Sequence, residues 1–353
     1  MRINRNKLVS DLSRALPGIS VGTVKIEGAD TFVFKDNHIY TYNSTISVDV
    51  IGTEEYGLEG VVSAKEFYDC LAKLPSEEID VISNEKTWEI TDGKIKVTLN
   101  LVDIPNIFER FASISPKDDG WKEIKFDDLK KAISICSIPH NSTKFSGLLF
   151  NGNNVYSTNQ SEINRYELSS EYPTFMISEA AALELLKHDN LTHVQFNKHW
   201  VQFLSSENVV FSVREMNKEV FPLDLVKGLL EKVADKPVYT TCKLSDKFFV
   251  ALSRALAFSN DIDGVKTVSV TFGDEVKVSS MRNSGSYEES VDDMKVDCEP
   301  FTIDLDVELF LRTNGVFESL DILGDITPGE SKQAVHILFK NGGSVKLCSS
   351  VTE

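Results

Sequence analysis

The sequence predicts an α+β protein made of three tandem copies of one domain, each with two helices and a set of antiparallel strands. Three observations carry this expectation. A helical apolar stripe followed by two short strands occurs three times, and a second helix follows each pair of strands at a matching place. The copies also start about 120 residues apart, the length of one small domain.

In the first copy Leu8, Leu12 and Leu16 share one helix face, and strands at 32–34 and 39–42 flank the turn Lys35-Asp36-Asn37-His38. In the middle copy Leu129 and Ile133 form the stripe while Lys130 and Lys131 point elsewhere. Strands at 147–150 and 155–158 flank Asn151-Gly152-Asn153-Asn154, which reads as a hairpin turn. The third copy has Phe248, Leu252 and Leu256, then strands at 268–272 and 275–278 around Gly273-Asp274. Second helices are expected at 63–74, 178–188 and 304–313, with Ser63, Ser178 and Asp304 as N-caps. Closing strands follow at 79–83, 87–91 and 95–101 in the first copy, and at 320–323, 334–339 and 344–347 in the third. Asp103-Ile104-Pro105 and Val220-Phe221-Pro222 mark the joints, giving domains at 1–120, 121–236 and 237–353.

The 353 residues suffice for several cores, and 41% hydrophobic content suits a globular chain. No apolar run is long enough to span a bilayer and the N-terminus lacks the apolar core of a signal peptide, so a cytoplasmic protein is expected. Cys70, Cys136, Cys242, Cys298 and Cys348 are widely spaced and odd in number, which argues against a complete disulfide framework and for small buried apolar residues.

The net charge is −17, from 37 Lys and Arg against 54 Asp and Glu, and taken whole such a chain repels nucleic acid. One basic surface on an acidic chain would change that. Lys7 and Arg14 in the first helix recur as Lys247 and Arg254 at equivalent positions of the third copy, and the middle copy supplies Lys130 and Lys131. The second helices add Lys65, Lys73, Lys187 and Arg312. Singly each reads as an ordinary solvated helix position, with Asp11, Asp128 and Glu184 on the same helices; the recurrence is what points to a function.

No catalytic constellation emerges, and neither a cofactor nor a metal is expected. The sequence holds no GxGxxG or HExxH. The segment from Gly324 to Ser331 has the glycine spacing of a phosphate loop, but Glu330 stands where a lysine is needed and Pro328 removes a donor, so it reads as a surface loop. His188, His193 and His199 run from a helix into strands without metal-ligand spacing. The carboxylate pairs Asp127-Asp128, Glu288-Glu289 and Asp292-Asp293 read as solubilising or capping groups. Trp88, Trp121 and Trp200 are too scattered for a base-stacking platform.

Several stretches resemble the bacterial-type DNA polymerase sliding clamps, the β subunit of DNA polymerase III. Ile3-Asn4-Arg5-Asn6-Lys7-Leu8 is similar to that family's opening helix, and residues 61–71 with Ile104-Pro105-Asn106 to the rest of its first domain. Residues 145–166 resemble its second-domain hairpin, Phe221-Pro222 its closing turn, and residues 252–260 its third-domain helix. The resemblance implies a head-to-tail homodimeric ring whose helices line a hole for duplex DNA, held without base-specific contacts. It implies a non-enzymatic processivity factor, cytoplasmic and nucleoid-associated, with a DNA polymerase and a clamp loader as partners and no membrane. The alternative is a ring-shaped platform for other DNA-processing or transcription proteins. The lumen set would be Lys7, Arg14, Lys65, Lys73, Lys130, Lys131, Lys187, Lys247, Arg254 and Arg312. A peptide-binding pocket would fall at Phe145, Thr158, Arg165, Tyr166, Val345 and Leu347. The chain departs from the family pattern in the extra residues before Arg165-Tyr166 and in its end, Cys348-Ser349-Ser350-Val351-Thr352-Glu353. Such divergence fits a phage or otherwise atypical replicon.

Overall fold

The computed structural model describes residues 1–20, 26–117, 119–137, 147–159, 162–188, 190–262, 265–327 and 333–351. The chain divides into two compact units, one of Met1–Phe126 and Ala180–Met216, the other of Asp127–Glu179 and Asn217–Glu353.

Strand β1 (Arg2–Asn4) leads into helix α1 (Arg5–Ala15), where the Asn4 side chain accepts from Lys7 N at 3.0 Å. Leu8, Leu12 and Ala15 are buried as the stripe requires, but Leu16 is 36% exposed. Pro17 ends the α-helix there and turns Leu16 out of the stripe. β2 (Thr31–Lys35) and β3 (His38–Tyr42) form the expected hairpin, with Asp36 and Asn37 both at positive φ, as a two-residue turn of this hand demands. β4 (Ile46–Ile51), β5 (Gly60–Ser63) and α2 (Ala64–Lys73) follow, then β6 (Glu78–Ser83), β7 (Thr87–Asp92) and β8 (Ile95–Asn100) at the three closing positions. Helix α3 (Ile107–Ile114), absent from the expectations, buries Ile107 and Phe111 against Val33 and Val61, and β9 (Lys122–Glu123) ends this stretch.

Helix α4 (Phe126–Cys136) buries Leu129 and Ile133. The hairpin expected at 147–158 is instead one strand, β10 (Gly147–Thr158), running antiparallel to the long β11 (Glu162–Ser178). Asn151-Gly152-Asn153-Asn154 forms an irregularity, with Gly152 at φ 62° and register shifts on either side of it. Both flanking runs pair with the same partner strand, so the Asn-Gly signal produces a bulge and the chain does not reverse there. The strand is followed by α5 (Glu179–Leu185), shorter than expected, and by β12 (Leu191–Asn197), β13 (Trp200–Ser205) and β14 (Val209–Arg214).

Helix α6 (Leu223–Ala234), also unexpected, begins right after Pro222 and buries Val226, Leu230 and Val233. Then come β15 (Val238–Lys243) and α7 (Asp246–Ala255), capped by Ser245 and burying Phe248 and Leu252. β16 (Asn260–Ile262), β17 (Val265–Phe272), β18 (Val276–Arg282), β19 (Gly285–Val291) and β20 (Phe301–Asp306) lead to α8 (Val307–Leu311). Asp304 is not its cap: it lies in β20, accepting from Ser269 Oγ at 2.8 Å, because pairing with β17 carries the strand on to Asp306. Asp306 caps the helix through Leu309 N at 3.1 Å. β21 (Ser319–Leu323), β22 (Ala334–Asn341) and β23 (Ser344–Val351) complete the chain.

The first unit holds a sheet of order β1-β6-β7-β8 and an eight-stranded sheet, β5-β2-β3-β4-β14-β13-β12-β9. The second holds β10-β11-β23-β22-β21-β15, and β16-β17-β18-β19 with β20 paired to β17. Each of the two longer sheets therefore joins strands from distant parts of the chain, β4 to β14 and β11 to β23. In the first unit Trp88 is fully buried, edge-on to Phe34 at 5.1 Å and tilted on Phe67 at 5.4 Å.

His38 Nδ1 lies 2.6 Å from Asp49 Oδ1 and stacks on Tyr40. The hydrogen bond to Asp49 raises the His38 pKa, outweighing the lowering effect of burial. This contribution to stability is fully present below the ordinary value of 6.5 and is lost as pH rises through the raised folded value. The stability advantage of the wild type over His38→Gln, measured by urea unfolding, should therefore be constant below the ordinary value of 6.5 and shrink as pH rises above it through the raised folded value. An advantage that stays constant through that rise would remove the ion pair as its cause.

Candidate functional site

The junction of β11 and β23 positions a cavity of the second unit. The two strands pair Arg165 with Val345, Asn164 with Lys346, Ile163 with Leu347 and Glu162 with Cys348. Alternation along the strands puts Arg165 and Val345 at a cavity of about 470 Å³. Tyr156, opposite Arg165 on β10, and Leu338 and Lys340 of β22 extend its wall. Helix α6 closes it with Lys227, Leu230, Glu231 and Ala234. The spacing of Leu223, Val226, Leu230 and Val233 after Pro222 was a readable helix signal, and it would have supplied this half of the cavity.

Of the pocket residues expected from sequence, Arg165 and Val345 line this cavity. Thr158 and Leu347 are buried, and the Thr158 hydroxyl donates to the Glu162 carbonyl at 2.9 Å. Tyr166 lines a different cavity, of about 500 Å³, with Lys130, Lys131 and Ser134. Its hydroxyl donates to Asp128 at 2.7 Å, and burial together with that carboxylate pushes the phenol pKa up. Phe145 lies outside the described residues.

The same two strands, β11 and β23, carry a buried charge cluster. Glu162 is 0% exposed, and its carboxylate lies 2.5 Å from Lys346 Nζ and 3.2 Å from Arg312 Nη2. Lys346 is 4% exposed, so its contact with Glu162, an ion pair without aligned hydrogen-bond geometry, is what compensates the ammonium. Nothing in local sequence marks this cluster, since its members come from β11, β23 and the end of α8.

The basic residues separate into two groups. Lys7 pairs with Glu54 at 3.0 Å, Lys65 with Asp69 at 2.5 Å, Lys187 with Glu184 at 2.6 Å and Arg254 with Glu289 at 2.9 Å. Arg14 reaches Asp11 at 3.2 Å and Glu207 at 3.4 Å. Lys73, Lys131 and Lys247 are exposed and make no ion pair with a described residue, while Lys130 is half-buried. Arg312 is held by Glu162. Asp11 and Asp128 are not solvated helix positions: Asp11 is fully buried and accepts from Thr53 N and Tyr56 Oη, and Asp128 also accepts from Ser169 N.

Other expectations resolve as follows. Cys136, Cys242 and Cys348 are buried, and burial pushes each thiol pKa up to about 12. Cys70 of α2 and Cys298, between β19 and β20, are half-exposed, at odds with uniform burial. His188 packs edge-on against Phe211, His193 bonds Thr192 and His199 is exposed. Among the described residues no group of three or more His, Cys, Asp or Glu could hold a metal ion. No helix among them is long and apolar enough to cross a membrane. Pro328, Gly329, Glu330 and Ser331 of the glycine-spaced loop lie outside the described residues.

Two helix-and-sheet units with this strand order have the fold of the DNA sliding clamps. Solved structures similar over nearly the whole chain include the DNA polymerase III subunit beta of Pseudomonas aeruginosa, at 16% identity and TM-score 0.75 with 99% of both chains covered. The sliding clamp of Bacillus subtilis is similar at 17% identity and TM-score 0.78, and the DNA polymerase III beta chain of Streptococcus pneumoniae at 18% and 0.77, each covering 99% of this chain and 98% of its own. At such identity the likeness establishes the fold. No family model and no curated protein matches the sequence.

Proposed function

We propose that the protein is a DNA sliding clamp: three clamp domains at 1–120, 121–236 and 237–353, closing with a second copy head to tail into a ring around duplex DNA. The observation that carries this reading is the full-length likeness to the clamp fold at TM-scores of 0.73 to 0.78. In chain order the helices α1 and α2, α4 and α5, and α7 and α8 recur at matching places, which supports the threefold division. Among the described strands, β8 and β19 each end a sheet and so offer backbone edges for pairing between copies.

Lys73, Lys131 and Lys247 are the cations freest to meet DNA phosphates, joined by Lys7, Arg14, Lys65, Lys130, Lys187 and Arg254. The exposed ion pairs of Lys7, Lys65, Lys187 and Arg254 are weak in water and exchange readily for a phosphate, whereas Arg14 is shared with the buried Asp11. Arg312 contributes through the field it adds beside Glu162. The ring is an adaptor without catalysis. A linear peptide from a DNA polymerase or a clamp loader docks in the cavity at Arg165 and Val345, in the cytoplasm at the nucleoid.

The solution mass should be twice the chain's 39.4 kDa by light scattering and persist on dilution. Once loaded, the protein should stay on closed circular DNA and be lost when that DNA is linearised. A monomer at every concentration, or equal loss from both DNA forms, would refute topological tethering by this chain.

A further inference from the structure

We infer that the cavity at Arg165 and Val345 selects peptides that present an acidic side chain beside an apolar one, and that Lys227 is the residue that reads the acid. This rests on the cavity being a peptide site, as proposed above, and adds the chemistry of its ligand.

The cavity has an apolar part, formed by Leu230, Leu338 and Val345, which suits a buried aliphatic or aromatic side chain. It also holds three cations, Arg165, Lys227 and Lys340, against one lining carboxylate, Glu231. Lys340 is neutralised by Asp321 at 2.5 Å. The other two have no carboxylate partner among the described residues. Lys227 Nζ sits over the Tyr156 ring, 5.8 Å from its centroid, which leaves its charge uncancelled. Arg165 donates from Nη2 to the Gly343 carbonyl at 3.1 Å, and its buried Nε has no acceptor among the described residues. An incompletely bonded guanidinium on the sheet side and an ammonium without a carboxylate partner on the helix side line one cavity and form a site for a carboxylate, which charge-assisted hydrogen bonds would hold.

The overall charge strengthens the argument. A chain at −17 repels an acidic peptide nearly everywhere. Local excess positive charge beside apolar surface then both attracts such a peptide and fixes its register, because the carboxylate can settle only where the field changes sign. Glu231, exposed on α6 one turn beyond Lys227, bounds the positive region on one side.

The test is selection of a random heptapeptide phage library on the full-length protein, followed by fluorescence anisotropy with the best peptide. Three variants accompany it. Lys227→Glu and Lys227→Gln alter a half-buried surface position of α6, and Ala234→Trp fills the cavity from an exposed position at the end of the same helix. The enriched peptides should carry Asp or Glu next to an apolar residue. Changing that acid to its amide should weaken binding about tenfold at low salt and less at high salt. Lys227→Glu should abolish the preference and Lys227→Gln should reduce it. Enriched peptides without an acidic excess, or an acid preference that survives Lys227→Glu, would overturn the inference and leave the peptide cavity standing. Undiminished binding to Ala234→Trp, or no enrichment at all, would remove the cavity as the peptide site and the inference with it.

Discussion

Replacing Glu162 with Met should cost the second unit about 3–5 kcal/mol, read from the shift of its urea transition. The cause is the ammonium left behind. Lys346 is 4% exposed and lies 2.5 Å from the Glu162 carboxylate, so the variant buries a positive charge with no carboxylate partner among the described residues. Replacing both Glu162 and Lys346 with Met should recover most of the loss, since a buried ion pair exchanged for apolar groups of similar volume is often close to neutral. Arg312, the other partner of Glu162, is 29% exposed and can turn its guanidinium to water in the double variant. A single variant as stable as the wild type would show that the cluster does not hold the β11–β23 junction together. Because Glu162 and Lys346 adjoin the paired residues Arg165 and Val345, this junction also positions the proposed peptide cavity.

The second large effect belongs to the first unit. Trp88→Ala should lower its stability by about 3–5 kcal/mol, because the indole is fully buried between Phe34 and Phe67 and its removal leaves a cavity that rigid strands cannot fill. Trp88→Phe should cost clearly less. The indole Nε1 has no hydrogen-bond partner among the described residues, so the smaller ring loses packing while removing an unsatisfied donor. Comparing the two variants by denaturation separates cavity from donor. Equal losses for Ala and Phe would mean that the ring shape, and not the buried area, sets the cost.

Much of the helical framework was legible because an amphipathic stripe is a local signal. Leu8 and Leu12, Leu129 and Ile133, and Phe248 and Leu252 are all buried where the 3.6-residue period puts them. The closing strands of the first and third copies were legible through their spacing. The same local signals misled at Asn151-Gly152-Asn153-Asn154, since an Asn-Gly pair favours positive φ equally in a turn and in a bulge, and the partner strand decides which forms. They misled at Asp304 for a related reason: its pairing with β17 outcompetes helix capping. Of the peptide cavity, Arg165 and Val345 were recoverable by resemblance, while the contribution of α6 went unread despite its stripe.

The sequence by itself determined the α+β character, the threefold recurrence of helix and strands, and the acidic charge against which basic positions stand out. Only the tertiary structure decided that β4 pairs with β14 and β11 with β23, that Glu162 meets Lys346 and Arg312, and that Asp11 and Asp128 act as internal struts. The physical reason is range. Periodicity and capping depend on residues three or four positions apart, whereas Glu162 and Cys348 become neighbours only when the whole unit has folded, and the chemistry of the cavity follows from that pairing.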